Sequence, residues 1–376
     1  MMDSDKPIAL LGLMAGVAYL AIWVEKTKIG RSLSGVVVAV FVAAALSQFG
    51  VLPSSAPLYD NIWSYGVPLA IALFLLKADL VGIYRESGRI LAAFALGVIG
   101  ATGGAYVGAM LLDAGPLEAE IAAVFAATYT GGSLNFAATA EAIGFTDSTQ
   151  LAAALAVDNI MGTLLLVAMI YFVKRQGLQN YFPWRAAELE QSSREHIEAE
   201  AQARRPELGD IFAALAIGAG ICVISSTLAT VMGYGSYSIL FVTVLSVLLA
   251  TLFRDFFSRL SGEELIAMML MYFFFIAIGV DVSLPNLLNG SPSMVGLILF
   301  IFFGHFLFLY LAGRFLKLNY AELLVASVAC ILGPPVAAAI AGLFGWRSLL
   351  VPGVMTGILG YVIGTFIGVG LFTLIS

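Results

Sequence analysis

Histidine, cysteine and charge are scarce in this 376-residue chain, and each scarcity excludes something. Two histidines, His196 and His305, are too few for a histidine-based metal centre. Cys222 and Cys330 both sit in apolar runs, which points to neither a disulfide framework nor a metal site. Only 11% of residues are charged, against ~25% in a typical soluble domain. The net charge of −6 says little, because most charges crowd into a few short segments. The N-terminus lacks a basic n-region and a clean small-residue cleavage site. "MMDSDKPIALLGLMAGVAYLAIWVEK" therefore reads as a first membrane helix. What the chain has instead is apolar length. With 61% hydrophobic residues and a mean hydropathy of +0.99, it reads as an integral membrane protein. The bilayer is the expected partner, and no nucleic acid is.

Stretches of spanning length, about 20 residues each, fall at 7–24, 31–48, 62–81, 89–112 and 150–173. A second set falls at 210–232, 237–253, 264–281, 292–316 and 348–375. Two further stretches, 118–145 and 320–345, carry glycine motifs. Between the halves, residues 174–210 are too charged for hydrocarbon and read as a surface linker, helical from Ala186 to Ala203. This divides the chain into a first transmembrane repeat at 1–173, a cytoplasmic linker at 174–209 and a second repeat at 210–376. Similarity between the halves is faint but has a fixed offset. Asp79 in "LLKADL" matches Asp281 in "IGVDVSL", 202 positions on, and Gly131 in "TYTGGSLNFAATA" matches Gly333 in "CILGPPVAAAIAG" at the same offset. A duplicated transporter unit explains both.

Charge sets the sidedness. Lys26, Lys28, Arg31, Lys77, Arg85 and Arg89 mark alternate loops of the first half as cytoplasmic, as do Arg254, Arg259, Arg314 and Lys317 in the second. If both motif segments crossed the membrane, the linker would land outside while the second half had to start inside. If each dips in and returns, every half makes five crossings and every Lys and Arg except Lys6 becomes cytoplasmic. Re-entrant hairpins are therefore expected, with both termini outside. The arm 120–130, at ~1.5 Å per residue, reaches about the midplane. There Gly131-Gly132 lets the backbone turn, and Gly333-Pro334-Pro335 does so in the other half. Backbone broken at that depth is tolerated only where it is buried in protein or lines a polar cavity.

The pattern "LFLLKADL…GGSLNFAATAEAIG…LAVDNIMG", with "ACILGPPVAAAIAGLFGWRSLLVPGVMTGILGYVIG", resembles the YjcL-like membrane family of bacteria and plastids over almost the whole chain. That architecture is similar to the sodium:glutamate symporters and the 2-hydroxycarboxylate transporters. The resemblance implies an all-α polytopic fold of two inverted repeats, each of about five helices with a re-entrant hairpin. It also implies a secondary transporter, often sodium-coupled, whose core moves elevator-fashion against a dimeric scaffold. The second tip departs from the double glycine, having Gly333-Pro334-Pro335.

Asp158 and Asn159 sit well inside the span 150–173, and a carboxylate at that depth costs several kcal/mol unless paired or hydrated. Thr130, Ser133, Asn135, Asp158, Asn159 and free tip carbonyls suit a dehydrated Na⁺, with Thr130, Asp158 and Asn159 as its ligands. Protonation of Asp158 would serve a proton-coupled carrier equally well. The expected solute and ion site joins these to Gly131, Gly132, Gly333, Pro334, Pro335 and Thr356. Ser133 and Asn135 also suit helix capping, and a helix start at the midplane attracts anions. Glu141 reads as interfacial, and His305 as a packing residue. Hydroxyls of Thr356, Tyr361 and Thr365 read as bonding neighbouring helices, with Gly357, Gly360, Gly364, Gly368 and Gly370 as a small-residue packing face.

The expected function is secondary transport of a small organic solute, an amino acid or carboxylate-like molecule, by a homodimer in the cell's inner (plasma) membrane. Na⁺ or H⁺ is the coupling ion, with no other cofactor. A channel is the alternative, although no short filter sequence is present. An enzyme is disfavoured: "GGSL" lacks the glycine of a rhomboid G-x-S-G pattern, no other motif joins Ser133 to His305, and one buried Asp makes no aspartyl dyad. No basic residue lies deep in a span, so a small zwitterion, monocarboxylate or neutral solute fits best.

Overall fold

The computed structural model describes residues 7–27, 35–112, 115, 117–173, 206–280, 291–344 and 346–376. Asp281, the partner assigned to Asp79, and linker residues 174–205 lie outside them. Among the described residues the chain is all-helical, without strands. Lipid dictates this, because only a helix or a closed barrel satisfies its own backbone without water. The first half runs α1 (Pro7–Glu25), α2 (Gly35–Gln48), α3 (Pro57–Asn61), α4 (Val67–Leu75), α5 (Leu80–Leu111), α6 (Glu118–Gly131), α7 (Ser133–Ile143) and α8 (Ser148–Val173). The second runs α9 (Leu208–Val231), α10 (Ser238–Leu252), α11 (Arg254–Phe257), α12 (Glu263–Val280), α13 (Ser291–Phe315), α14 (Tyr320–Ile331), α15 (Pro334–Leu343) and α16 (Leu350–Ile375). Among the described residues seven helices are long and apolar enough to cross a membrane: α1, α5, α8, α9, α12, α13 and α16. This is a multi-pass membrane protein.

Two local breaks have clear causes. The stretch expected as a span at 62–81 starts earlier and stops earlier. It begins at Pro57, passes through a π-helical turn at Ile62–Gly66, and ends at Leu75. Pro68 has no N–H to offer the carbonyl four residues back, and a widened turn just before it relieves the clash. The helix stops because Asp79 caps the next one, its Oδ1 accepting the Val81 N–H at 3.0 Å. In α5, Gly88 has φ 53° and ψ −132°, which separates a short helical segment at 80–87 from the membrane helix that follows. That helix begins where the apolar run 89–112 predicts.

The helices sort into two packed groups that do not follow the sequence halves. In the first, α12 packs on α2, α4 and α1, and α9 and α10 pack on each other and on α4. In the second, α5 lies along α13, and α16 packs against α5, α6, α7, α14 and α15. Between the groups runs a thinner seam, where α4 and α10 touch α7, and α2 and α12 touch α8. Each group draws helices from both halves of the chain.

Ion pairs tie one end of the bundle together. Lys77 Nζ lies 2.7 Å from Glu263 Oε1, and Arg254 Nε lies 2.9 Å from Asp79 Oδ2. Arg89 donates to the carbonyls of Leu316 at 2.9 Å and Lys317 at 2.7 Å, capping the C-terminus of α13. Asn319 and Glu322 form a capping box on α14, with both bonds at 2.8 Å. Lys77, Arg89, Arg254 and Lys317 thus share one end, as the charge pattern of the loops anticipates.

Candidate functional site

Two helix breaks face each other at the centre. Gly132, between α6 and α7, has φ 109° and ψ −177°; Gly333, between α14 and α15, has φ 83° and ψ −178°. Both lie in a region open essentially to glycine alone. A Cβ on Gly132 would stand 3.6 Å from Gly333 Cα, and one on Gly333 would stand 2.8 Å from the Gly131 carbonyl oxygen. The breaks abut, backbone to backbone. Just before the first one, Tyr129 leaves helical geometry (φ −79°, ψ 16°), and its carbonyl accepts the Cys330 thiol at 3.1 Å. The counterpart of Gly333 is therefore Gly132, one residue beyond the Gly131 expected from the sequence. Gly131 itself stays in α6 and is glycine for another reason: a Cβ there would collide with the backbone of Gly360.

Helix α16 supplies the wall behind the breaks. Its glycines at 353, 357, 360, 364 and 368 each press on a neighbour: Val325, Pro334, Thr130 with Gly131, Asn135 with Ala127, and Thr139 with Ala123. The expected small-residue face is real, with Gly353 on it. Gly370 is off it, since a Cβ there would meet nothing within 4 Å.

The polar residues divide into separate roles. Asn135 does not cap α7, which has no side-chain cap. Its Nδ2 donates to the Gly360 carbonyl at 2.9 Å, and its Oδ1 accepts the Thr365 hydroxyl at 3.4 Å. This buried amide joins α7 to α16. Asn135→Ala strands both partners on α16 and is expected to cost about 1–3 kcal/mol, read as a lower melting temperature of the purified protein. Thr130 donates to the Ala126 carbonyl at 2.8 Å, and Thr356 to the Pro352 and Gly353 carbonyls of its own helix rather than to a neighbour. Such hydroxyls keep their lone pairs for a cation. Ser133 is half-buried at the start of α7. Glu141 is half-buried near the end of α7.

Asp158 is buried in α8 at 6% exposure. The Tyr129 hydroxyl faces its carboxylate, electrostatically coupled to it but outside hydrogen-bond geometry. Asn159 donates to the Leu155 carbonyl at 2.8 Å. Among the described residues no hydrogen bond joins Asp158 or Asn159 to Ser133 or Asn135. His305 is fully engaged: Nδ1 lies 3.0 Å from the Gly97 carbonyl and Nε2 2.9 Å from Ser327 Oγ. A carbonyl only accepts, so Nδ1 carries the proton and Nε2 accepts from Ser327. His305 thus bridges α5 and α14, and its partner is Ser327, not Ser133.

Comparison with known proteins matches nearly the whole chain to one family. The family described as "Protein of unknown function (DUF819)" matches residues 12–376. The chain belongs to this family. It is also 30% identical over 385 residues to the "Uncharacterized membrane protein YjcL" of Bacillus subtilis (strain 168), covering 98% of this chain and 96% of that one.

In this DUF819 chain, sequence reasoning passed over Tyr129, although it lies inside the "TYTGGSLN" stretch, and over Glu263, and it read Lys77 only as a marker of sidedness. These last two line a cavity of about 270 Å³ between the packed groups. It extends from Lys77, Glu263 and Glu264 to Pro334, Pro335 and Tyr361 beside the second break. Tyr361, expected to bond a neighbouring helix, places its hydroxyl 3.5 Å from where a Gly333 Cβ would stand. The signal that could have found the cavity is charge: Lys77 and Glu263 are ionisable residues of opposite sign at the ends of apolar runs.

Proposed function

We propose that the chain is a secondary active carrier of a small organic solute, of amino acid or carboxylate-like class, coupled to Na⁺. In this reading α6–α7 and α14–α15 are re-entrant hairpins of two inverted repeats. One observation carries it: the two breaks meet beside the middle of α16. Along α16, Gly360, Gly364 and Gly368 meet α6 at Gly131, Ala127 and Ala123 in falling order, and Gly364 and Gly368 meet α7 at Asn135 and Thr139 in rising order. Side-by-side antiparallel arms account for that. Gly353 and Gly357 meet α15 at Ala337 and Pro334, again with the break toward the centre. At ~1.5 Å per residue the 26 residues of α16 exceed a hydrocarbon core of ~30 Å. Arms of 14, 11, 12 and 10 residues reach only part-way.

The two packed groups give the reading its mechanics. The first group is the scaffold through which two copies pair, and the second is the moving core that carries both tips. The thin seam between them is the sliding surface. The solute sits at the abutting tips. Asp158, with Asn159 and the Thr130 hydroxyl, holds the coupling ion, and the Tyr129 hydroxyl faces the carboxylate. Nothing in this scheme calls for a catalytic step. The cell's inner membrane is the location that fits an ion-driven carrier.

Uptake into proteoliposomes tests this, using a library of amino acids and carboxylates with and without an inward Na⁺ gradient. Saturable uptake that follows the gradient is expected. Flux that is linear in solute and indifferent to the gradient would make the protein a channel. A cysteine placed within 174–205 tests the topology and is expected to react with an impermeant maleimide from the cytoplasmic side only. Reaction solely from outside removes the inverted arrangement.

A further inference from the structure

The cavity beside the second break carries an imbalance of charge. Glu263 is 5% exposed; its Oε1 takes Lys77 at 2.7 Å, and its Oε2 is buried without a hydrogen-bond partner among the described residues. Glu264 lines the same space and lies near enough to the Tyr361 hydroxyl to act on it electrostatically. One lysine against two glutamates leaves the cavity with one net negative charge. The second break offers two donors fewer than an ordinary helix start. Pro334 and Pro335 open α15, and neither has an N–H. The anion-binding capacity of an ordinary helix start is therefore weakened at this end of the cavity. An unpaired buried carboxylate oxygen bears its full desolvation cost until a donor or cation reaches it.

We propose that this cavity binds a monovalent cation, Na⁺ or the ammonium group of the solute, between Glu263 Oε2, the Glu264 carboxylate and the Tyr361 hydroxyl. Lys77 holds the other Glu263 oxygen and fixes the carboxylate in place. The site lies next to Gly333, on the route between the tips and the cytoplasmic end that Lys77 marks. The inference deepens the carrier reading and rests on it for its purpose. Its test needs no transport, so either can fail alone.

The experiment uses the full chain with Cys222→Ser and Ile358→Cys, the new thiol being in the cavity wall. Its reaction rates with a trimethylammonium-ethyl and a sulfonatoethyl methanethiosulfonate are compared, each relative to a small thiol in solution. A cleft with one sign of charge concentrates the opposite ion, so the cationic reagent is expected to react about tenfold faster. Glu264→Gln leaves the Lys77–Glu263 pair intact and should reduce the preference to near unity. Rates are then compared in NaCl, methylammonium chloride and N-methyl-D-glucamine chloride at equal ionic strength. Slowing by Na⁺ assigns the site to sodium, slowing by methylammonium assigns it to an ammonium group, and Glu263→Gln should abolish either. No reaction, no charge preference, equal rates in the three salts, or protection that survives Glu263→Gln would each overturn the proposal.

Discussion

Gly131→Val and Gly132→Val are expected to fail in different ways, the first by not folding and the second by not working. At Gly131 the added Cβ meets the Gly360 backbone, and neither helix has a flexible side chain there that could yield. Helices α6 and α16 would have to separate along the whole glycine face, so Gly131→Val should leave no monodisperse protein after size exclusion. At Gly132 a Cβ meets no collision: its nearest atoms stand 3.6 Å away. The penalty is conformational. A residue with φ 109° and ψ −177° that is not glycine costs about 1–3 kcal/mol, or roughly a 5- to 150-fold loss of the wild-type tip geometry. Gly132→Val should therefore purify normally and lose solute stabilisation and uptake. Ala95→Val, on an exposed face of α5, is the control and should change neither. Wild-type uptake by Gly132→Val would mean that the break is packing only.

The second large effect is expected from Asp158→Asn. A carboxylate buried in a membrane helix costs about 2.5–3.5 kcal/mol at the bilayer centre, and asparagine keeps its size while removing that cost. The variant should fold, with a melting temperature equal to or above that of the wild type. Its uptake should lose dependence on the cation gradient, because no charge remains to balance the ion. Tyr129→Phe should show a weaker form of the same defect, since the hydroxyl acts on the carboxylate electrostatically and carries no charge of its own. If Asp158→Asn keeps normal ion dependence, the residue has no part in coupling.

The spans were legible because lipid imposes a length of apolar sequence that little else produces. Where one stops was not. Leu76 is as apolar as its neighbours, and the end of α4 is set by Lys77 reaching Glu263 and by Asp79 capping the next helix. The paired glycines announced a turn, but not which of them turns. Gly131 and Gly132 look alike in sequence, and only the approach of Gly360 separates a packing glycine from a conformational one. Asn135 at a helix start suggested a cap, yet the Gly360 carbonyl offered a buried acceptor that no local pattern reveals. The glycine face of α16 was readable from helical spacing, with Gly370 misplaced because it falls on the opposite side of the helix. The Tyr129–Asp158 pair and the Lys77–Glu263 cavity join residues from distant parts of the chain. No motif links them.

Single cysteines at the two ends of each broken pair provide the most direct test of whether both breaks enter from opposite faces and meet at the centre. Glu120→Cys and Thr146→Cys bracket α6–α7, and Lys317→Cys and Ser348→Cys bracket α14–α15. In right-side-out and inverted vesicles, an impermeant maleimide should label both members of the first pair from outside only, and both members of the second from the cytoplasm only. Labelling of the two members of either pair from opposite sides would show that the segment crosses the membrane, and would contradict the account.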